Sequence, residues 1–343
     1  MIRFGDILGQ ADAVSRIQRA LAADRLPHGM IFAGPSGVGK TTTATALAGA
    51  FLCEKPKNGD ACGKCASCQA MAAGSHPDFH VIVKEMARLH DRSGTSKATQ
   101  ISVDVVRYEL ADVAARKTVL GRGKVFIVKQ ADLMTVPAQN ALLKTLEEPA
   151  GRTLIVLIAT SVSDLLPTVR SRCQTIIFSP LEADVVRDQL VRGGADRVAA
   201  AEAARLSDGS LGVALQFLSD GLLQPAAAVG ASIDGLVDGG AVGDLADLLR
   251  KSAEVQVEKT LARDELTSKD SAMRDALTIF LGIASRRLRQ HLHEGDGDPD
   301  RSCEMIDAIA LAEKYLDANV NISLVLEQLG IGLLQISGAK VSV

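Results

Sequence analysis

The sequence predicts an α/β domain built on a parallel sheet and a phosphate-binding loop, followed by wholly helical segments. Three observations predict it. Gly34-Pro35-Ser36-Gly37-Val38-Gly39-Lys40-Thr41 fits the G-x-x-x-x-G-K-[ST] pattern in every fixed position. Short apolar runs alternate with helical patterns as far as Phe178, as the strands and crossover helices of a parallel sheet do. From Leu181 the strand signals stop, and Ala- and Leu-rich helical patterns take over. The expected divisions are residues 1–180, 181–221 and 222–343.

Taken in order, Ser15 to Ala23 reads as a short amphipathic helix, with Ile17 and Leu21 four apart. Met30 to Ala33 is a buried strand leading into the phosphate loop. The loop glycines let backbone N–H groups turn toward a polyphosphate, Lys40 reaches the outer phosphates and Thr41 offers a hydroxyl to Mg²⁺. Thr42 to Leu52 forms the helix whose N-terminus faces the phosphates. His80 to Val83 is a second strand. Lys84 to Thr99 is polar, is broken by Ser-Gly-Thr-Ser and reads as an exposed flexible loop. Ser102 caps a helix with Val103, Val106, Leu110 and Val113 on one stripe. The turn Gly121 to Lys124 precedes a strand, Val125 to Val128. The helix Ala138 to Glu148 ends at Pro149, and Thr153 to Ala159 and Gln174 to Phe178 complete the strands.

Beyond them, Ala183 to Arg192, Asp196 to Leu206 and Ser210 to Leu218 are short helices. The rest is helical, its longest element running from about Asp270 to His293, with an exposed loop at Glu294 to Pro299. Arg286, Arg287 and Arg289 on that long helix read as a solvated face rather than a DNA contact.

Composition narrows the function classes. The 343 residues are 47% hydrophobic and 23% charged, as in a soluble globular protein. A net charge of -3 gives no whole-chain pull toward nucleic acid, so any DNA contact is local or shared with partners. No apolar stretch is long enough to span a membrane, and Met1 to Asp6 lacks a signal-peptide pattern, so a cytoplasmic location is expected.

In that compartment, clustered cysteines point to metal before disulfides. Cys53, Cys62, Cys65 and Cys68 lie within sixteen residues, the last three as C-x-x-C-x-x-C. Four thiolates at this spacing close a tetrahedral shell around Zn²⁺ and leave no open position, which makes the metal structural. An iron–sulfur cluster uses the same run, but no Cys-Pro follows here. Unmetallated or redox thiols are the remaining reading. His76 and His80 lie nearby and read as ordinary solvated or hydrogen-bonded histidines, since four sulfurs complete the shell.

Several blocks resemble the clamp-loader branch of the AAA+ proteins. They are Phe4-Gly5-Asp6-Ile7-Leu8-Gly9-Gln10, the phosphate loop with cysteines directly behind its helix, Asn140-Ala141-Leu142-Leu143-Lys144-Thr145-Leu146-Glu147-Glu148-Pro149, and Leu166-Pro167-Thr168-Val169-Arg170-Ser171-Arg172-Cys173. Order and spacing match over about the first 215 residues. The resemblance implies an AAA+ domain, a small helical lid domain and a helical collar for oligomerisation. It also implies a hetero-pentamer with gamma/tau-type and delta-type subunits, which loads a sliding clamp onto primed DNA within a DNA polymerase holoenzyme, a nucleotidyltransferase complex. Ile7, Gly9 and Gln10 match the segment bordering the adenine pocket. Arg172 matches a trans-acting arginine finger that reaches a neighbour's ATP. The alternative for Arg172 is a surface salt bridge. Arg170 is left without a role.

The chemistry departs from the motor pattern. An AAA+ ATPase holds Mg²⁺ and its attacking water with an Asp-Glu pair after the third strand. On the resemblance, Lys129 takes the Asp position and Gln130 the Glu position. Asp132 belongs to the following turn, and Gly212 stands where motor subunits carry a γ-phosphate-contacting Arg. Thr160 falls where the family places a γ-phosphate-sensing residue, and a structural hydroxyl serves equally well there. The expectation is ATP or ADP bound without hydrolysis. An active gamma/tau-type motor is the alternative; a P-loop kinase would need an Arg-rich lid, and no such signature is visible.

Overall fold

A computed structural model of the chain describes residues 1–90, 99–120, 122–238, 245–263, 268–295 and 297–337. Two compact units divide it: Met1–Val185 with Gly209–Gly212, and Val186–Asp208 with Val213–Val343.

The first unit is a five-stranded, all-parallel sheet in the order β2-β3-β4-β1-β5. The strands are β1 (Gly29–Ala33), β2 (Phe79–Ile82), β3 (Lys124–Val128), β4 (Thr153–Ala159) and β5 (Gln174–Ile177). Every residue of β1, β3 and β4 is buried. Successive side chains point to opposite faces, and both faces are covered, which is why these strands read as unbroken apolar runs. Ile31, Phe126, Val128, Ile155 and Leu157 pack with Val105, Leu110, Leu142 and Val169 on one face. Met30, Phe32, Val125, Ile127, Leu154 and Val156 pack with Ile17, Ala44 and Leu47 on the other.

Two helical predictions shift. The first helix spans Ala11–Ala22, because Ala13 joins Ile17 on the buried stripe. Lys84–Met86 and Ala87–His90 are helical turns rather than loop, since Met86 and Ala87 pack onto the sheet's core. The rest of that expected loop, residues 91–98, and Gly121 lie outside the described residues. The Ser102-capped helix is present, with Ser102 Oγ accepting from Val105 N–H at 3.4 Å. Its middle, Val106–Ala111, is a π-helix. Ala66–Ala72 and Pro167–Arg170 are short helices that the sequence reading omitted.

The second unit is helical, and Lys269–Glu294 is its longest element among the described residues. Phe280, Leu281, Ala284 and Leu288 of that helix are buried. Ser268 caps its start through Ser271 N–H, and Gly295 ends it at φ +76°. The next helix, Pro299–Asp317, opens with Asp298 as cap and Pro299 at the first position.

The arginine cluster is not one solvated face. At 100° per residue, positions 286, 287 and 289 fan around the helix. Only Arg289 is exposed. Arg286 is half-buried, and that burial, opposed by nearby Asp208, lowers its pKa. Arg287 clasps Asp234 through Nε and, at 2.9 Å, through its second terminal nitrogen. His291 Nε2 reaches the same carboxylate at 2.8 Å.

Burial alone would raise the Asp234 pKa, but the hydrogen bonds from Arg287 and His291 outweigh it and hold the carboxyl below its ordinary range. A depressed carboxyl stabilises the fold above the unfolded-state pKa, and that contribution disappears as pH falls through the lower folded-state value. Denaturant midpoints measured across acidic pH are therefore expected to fall, and Asp234→Asn to remove part of that dependence while lowering stability at neutral pH.

Candidate functional site

The site lies at the carboxyl ends of β1, β3 and β4, where an open parallel sheet collects its loops. Gly34 N–H donates to Ala159 O at 3.3 Å, which places Thr160 beside the start of the phosphate loop. The loop conformation depends on close backbone approach. A Cβ at Gly34 would lie 2.2 Å from Phe178 O, and one at Gly37 the same distance from Ser210 Oγ, with both residues at positive φ. Pro35, Ser36 and Gly37 are exposed, and Val38 is buried beneath them. The helix Lys40–Leu52 begins within the loop, two residues earlier than the sequence suggested. Gly39 forms its cap, and Thr43 Oγ1 donates back to Gly39 O at 2.9 Å.

Lys40 is buried, and its ammonium donates to the loop's own carbonyls on Gly34 and Pro35. Burial lowers its pKa to about 8, with the negative charge of Asp132 opposing. Asp132 sits in the short turn Ala131–Leu133, as its position predicts, yet its carboxylate reaches across the site. Oδ2 accepts from Thr160 N–H at 3.0 Å and from the Thr160 hydroxyl. This pair was missed in the sequence, although β3 and β4 are neighbours, with Asp132 four residues past β3 and Thr160 one residue past β4. Lys129 is half-buried and donates its N–H to Ile82 O at 2.9 Å. Gln130 is exposed in a left-handed conformation, φ +52°. Neither residue carries a carboxylate.

Gly212 touches the loop directly. Its N–H donates to Gly37 O at 3.2 Å, and a Cβ there would stand 3.1 Å from Gly37 Cα. A side chain at 212 would press on the loop's apex.

The N-terminal block acts on the same loop. Gln10 is buried; its Nε2 donates to Val38 O at 3.2 Å and Ser179 O at 2.7 Å, and its Oε1 accepts from Ser179 N–H at 3.4 Å. The amide thus ties the loop to Ser179, two residues past β5's end. Ile7 packs against the core, and a Cβ at Gly9 would meet Leu181 at 2.4 Å.

The remaining clamp-loader-like blocks meet each other. The helix Val136–Glu147 holds the Leu166–Cys173 segment at two points. Gln139, buried, accepts from Leu166 N–H at 2.7 Å and donates to Met134 O at 3.2 Å. Glu147 accepts from Arg172 Nε at 2.7 Å. Arg172 therefore makes a salt bridge within its own chain. Arg170 is exposed. Cys173 packs where a Cβ on Gly29 would lie 2.8 Å from its sulfur, and burial pushes its thiol up to about 12. The cysteine anchors the segment to β1.

The four clustered cysteines converge. All four sulfurs lie within 4.8 Å of one another, with Cys53–Cys65 and Cys62–Cys68 each 3.9 Å apart. Sulfurs about 2.3 Å from one tetrahedral zinc stand about 3.8 Å apart, so the residues fit such an ion. Backbone amides point at the sulfurs: Cys62 N–H at Cys53 (3.2 Å) and Gly63 N–H at Cys68 (3.4 Å). The Lys64 and Cys65 amides lower the Cys62 thiol to about 6, whereas burial pushes Cys68 up to about 12.

His76 is no ligand. Ser67 Oγ donates to Leu52 O at 2.9 Å, so it accepts from His76 Nε2 at 2.9 Å, leaving Nδ1 to accept from Asp78 N–H at 3.1 Å. That neutral ring buttresses the cysteine loop from below. His80 stacks on Phe126, ring centroids 5.0 Å apart.

Removing the buried Gln139 amide strands Leu166 N–H without its acceptor. Gln139→Ala is expected to lower unfolding free energy by about 1–3 kcal/mol, read from denaturant titration of the purified chain.

Comparison with known proteins agrees with these features. The family model described as DNA polymerase III, delta subunit, matches residues 9–182, just over half of the chain. The delta' subunit of DNA polymerase III from Pseudomonas aeruginosa is 42% identical over 146 residues, 43% of this chain and 41% of that protein. The Bacillus subtilis delta' subunit is 32% identical over 182 residues, 53% of this chain and 51% of that one. A gamma/tau subunit from Mycoplasma pneumoniae is 33% identical over 223 residues, 65% of this chain and 30% of that one. The chain spans about half the length of the delta' relatives it matches. The phosphate loop with cysteines behind its helix, the two interlocked clamp-loader-like blocks and this match together place the chain in the DNA polymerase III delta-prime family.

Proposed function

We propose that this chain is a non-hydrolysing clamp-loader subunit of the DNA polymerase III holoenzyme. It works with gamma/tau-type and delta-type subunits in a hetero-pentamer that opens the sliding clamp and places it on primed DNA in the cytoplasm. Residues 1–180 form its AAA+ domain, 181–221 a helical lid and 222–343 the collar that joins the assembly. The observation that carries the reading is the pairing of an intact phosphate loop with Lys129 and Gln130 at the metal- and water-holding positions.

The loop holds ATP or ADP through the backbone of Gly34 to Thr41, with Lys40 exchanging its own carbonyl partners for phosphate oxygens and Ile7, Gly9 and Gln10 bordering the base. A positive Lys129 repels Mg²⁺ where a carboxylate would coordinate it. Gln130 does not take a proton from water. Asp132 is engaged by Thr160, and Gly212 offers no cation to the γ-phosphate. Catalysis is instead supplied outward: Arg172 stabilises charge developing on the ATP of a neighbouring motor subunit, as an arginine finger does.

The experiment is ATP hydrolysis, first by the isolated chain and then by the reconstituted complex. The isolated chain is expected to show none; turnover abolished by Lys40→Ala would instead favour the gamma/tau-type motor reading, which the gamma/tau relative keeps in view. In the complex, Arg172→Ala is expected to slow hydrolysis about 10³-fold at the site it serves, the lower range for an arginine finger. Unchanged clamp-loading kinetics would remove that role.

Cys53, Cys62, Cys65 and Cys68 hold one structural Zn²⁺. Metal analysis of the purified chain is expected to find one zinc per chain. Cys65→Ser is expected to lose it and to lower the unfolding temperature, because binding energy at a folded site is folding energy.

A further inference from the structure

Arg172 is not poised in space. Nε donates to Glu147 Oε1 at 2.7 Å, and a terminal nitrogen pairs with the same oxygen. The other terminal nitrogen donates to Thr168 O at 3.0 Å and contacts Ser171 Oγ at 3.3 Å. All three guanidinium nitrogens are thus engaged inside the chain. Glu147 is the last residue of the helix Val136–Glu147, where the negative end of the helix dipole also favours a cation. Thr168 O belongs to the short helix Pro167–Arg170, which buried Gln139 holds to that same long helix.

We infer that Glu147 is a positioning residue that parks Arg172 against its own chain and releases it to the charge that develops on a neighbour's nucleotide during phosphoryl transfer. The inference rests on Arg172 acting in trans. The pair suits a latch because it is accessible: the Arg172 side chain is 35% exposed and that of Glu147 48%. Solvent screens such a pair and keeps it weak. A polyphosphate, which carries more negative charge than one carboxylate, offers the same fork a competing charge-assisted partner. Exchange between the two partners therefore needs only side-chain rotation. The backbone beneath stays in place, because Cys173 is packed on Gly29 and Leu166 is bonded to Gln139. Glu147 sets how often the fork is free, and the anchors set where it points when free.

The test is steady-state ATP hydrolysis by the complex reconstituted from this chain and its gamma/tau-type and delta-type partners, without DNA. Glu147→Gln removes the charge and keeps the shape. It is expected to raise kcat about 1.4- to five-fold, the range spanned by an exposed ion pair, with KM for ATP unchanged, because the arginine acts on transition-state charge. In the Arg172→Ala background the same substitution is expected to have no effect. An unchanged or lowered kcat for Glu147→Gln, or a gain that survives in the Arg172→Ala background, overturns the latch. If Arg172→Ala alone leaves hydrolysis unchanged, the trans-acting reading itself fails, and the latch with it. Thermal unfolding of the Glu147→Gln chain is expected to match the wild type, which separates release of the arginine from loss of fold.

Discussion

The parallel register of β1, β3 and β4 is the constraint on which the rest of the phosphate-loop site depends. Ala33 pairs with Ala159 and Val128 with Leu157, so the three strands end side by side. The groups around the phosphate loop hang from those ends: the loop itself after β1, Lys129 to Asp132 after β3, Thr160 after β4. A slip of one residue would invert every side chain of a strand buried on both faces. The burial that stabilises the sheet therefore also fixes the spacing of Lys40, Asp132 and Thr160.

Within that frame, charge is balanced locally. Lys40 loses water on burial and recovers hydrogen bonds from the loop's carbonyls, with Asp132 as the nearby anion. Asp132 in turn is held by Thr160. Lys40, Asp132 and Thr160 thus all have partners within the chain. Gly212 against Gly37 has the same character, since backbone-to-backbone contact leaves no reach for a charged side chain.

Much of this was legible in the residues. Apolar runs buried on both faces identify strands whatever their neighbours, and the phosphate loop and cysteine spacings carry their own geometry. The readings of Arg172, Lys129, Gln130 and Gly212 came only through resemblance. Partners set by tertiary contact were not legible. Gln139 carried no signal in a linear reading and Gln10 stood out only through resemblance; the fold shows that each closes a gap between distant backbone segments. The arginines at 286, 287 and 289 look like one cluster in sequence, yet helical rotation sends Arg287 to Asp234 and leaves only Arg289 exposed. Ala13 and Met86 were undercounted because small or isolated apolar residues give little periodicity.

The Leu166–Cys173 segment shows how one short block serves two demands. Rigidity comes from apolar and backbone contacts: Val169 buried in the core, Cys173 against Gly29, Leu166 on Gln139. Freedom comes from the one side chain held by solvent-accessible charge. Burying the Arg172–Glu147 pair would make its release expensive, because breaking a buried ion pair strands a charge in low dielectric. Leaving the arginine unpaired would let a long side chain sample many rotamers, so that each engagement would forfeit about 2 kcal/mol of rotamer entropy. For the latch proposed above, an exposed pair on a rigid backbone avoids both penalties: the guanidinium would be partly ordered before acting and weakly held while waiting.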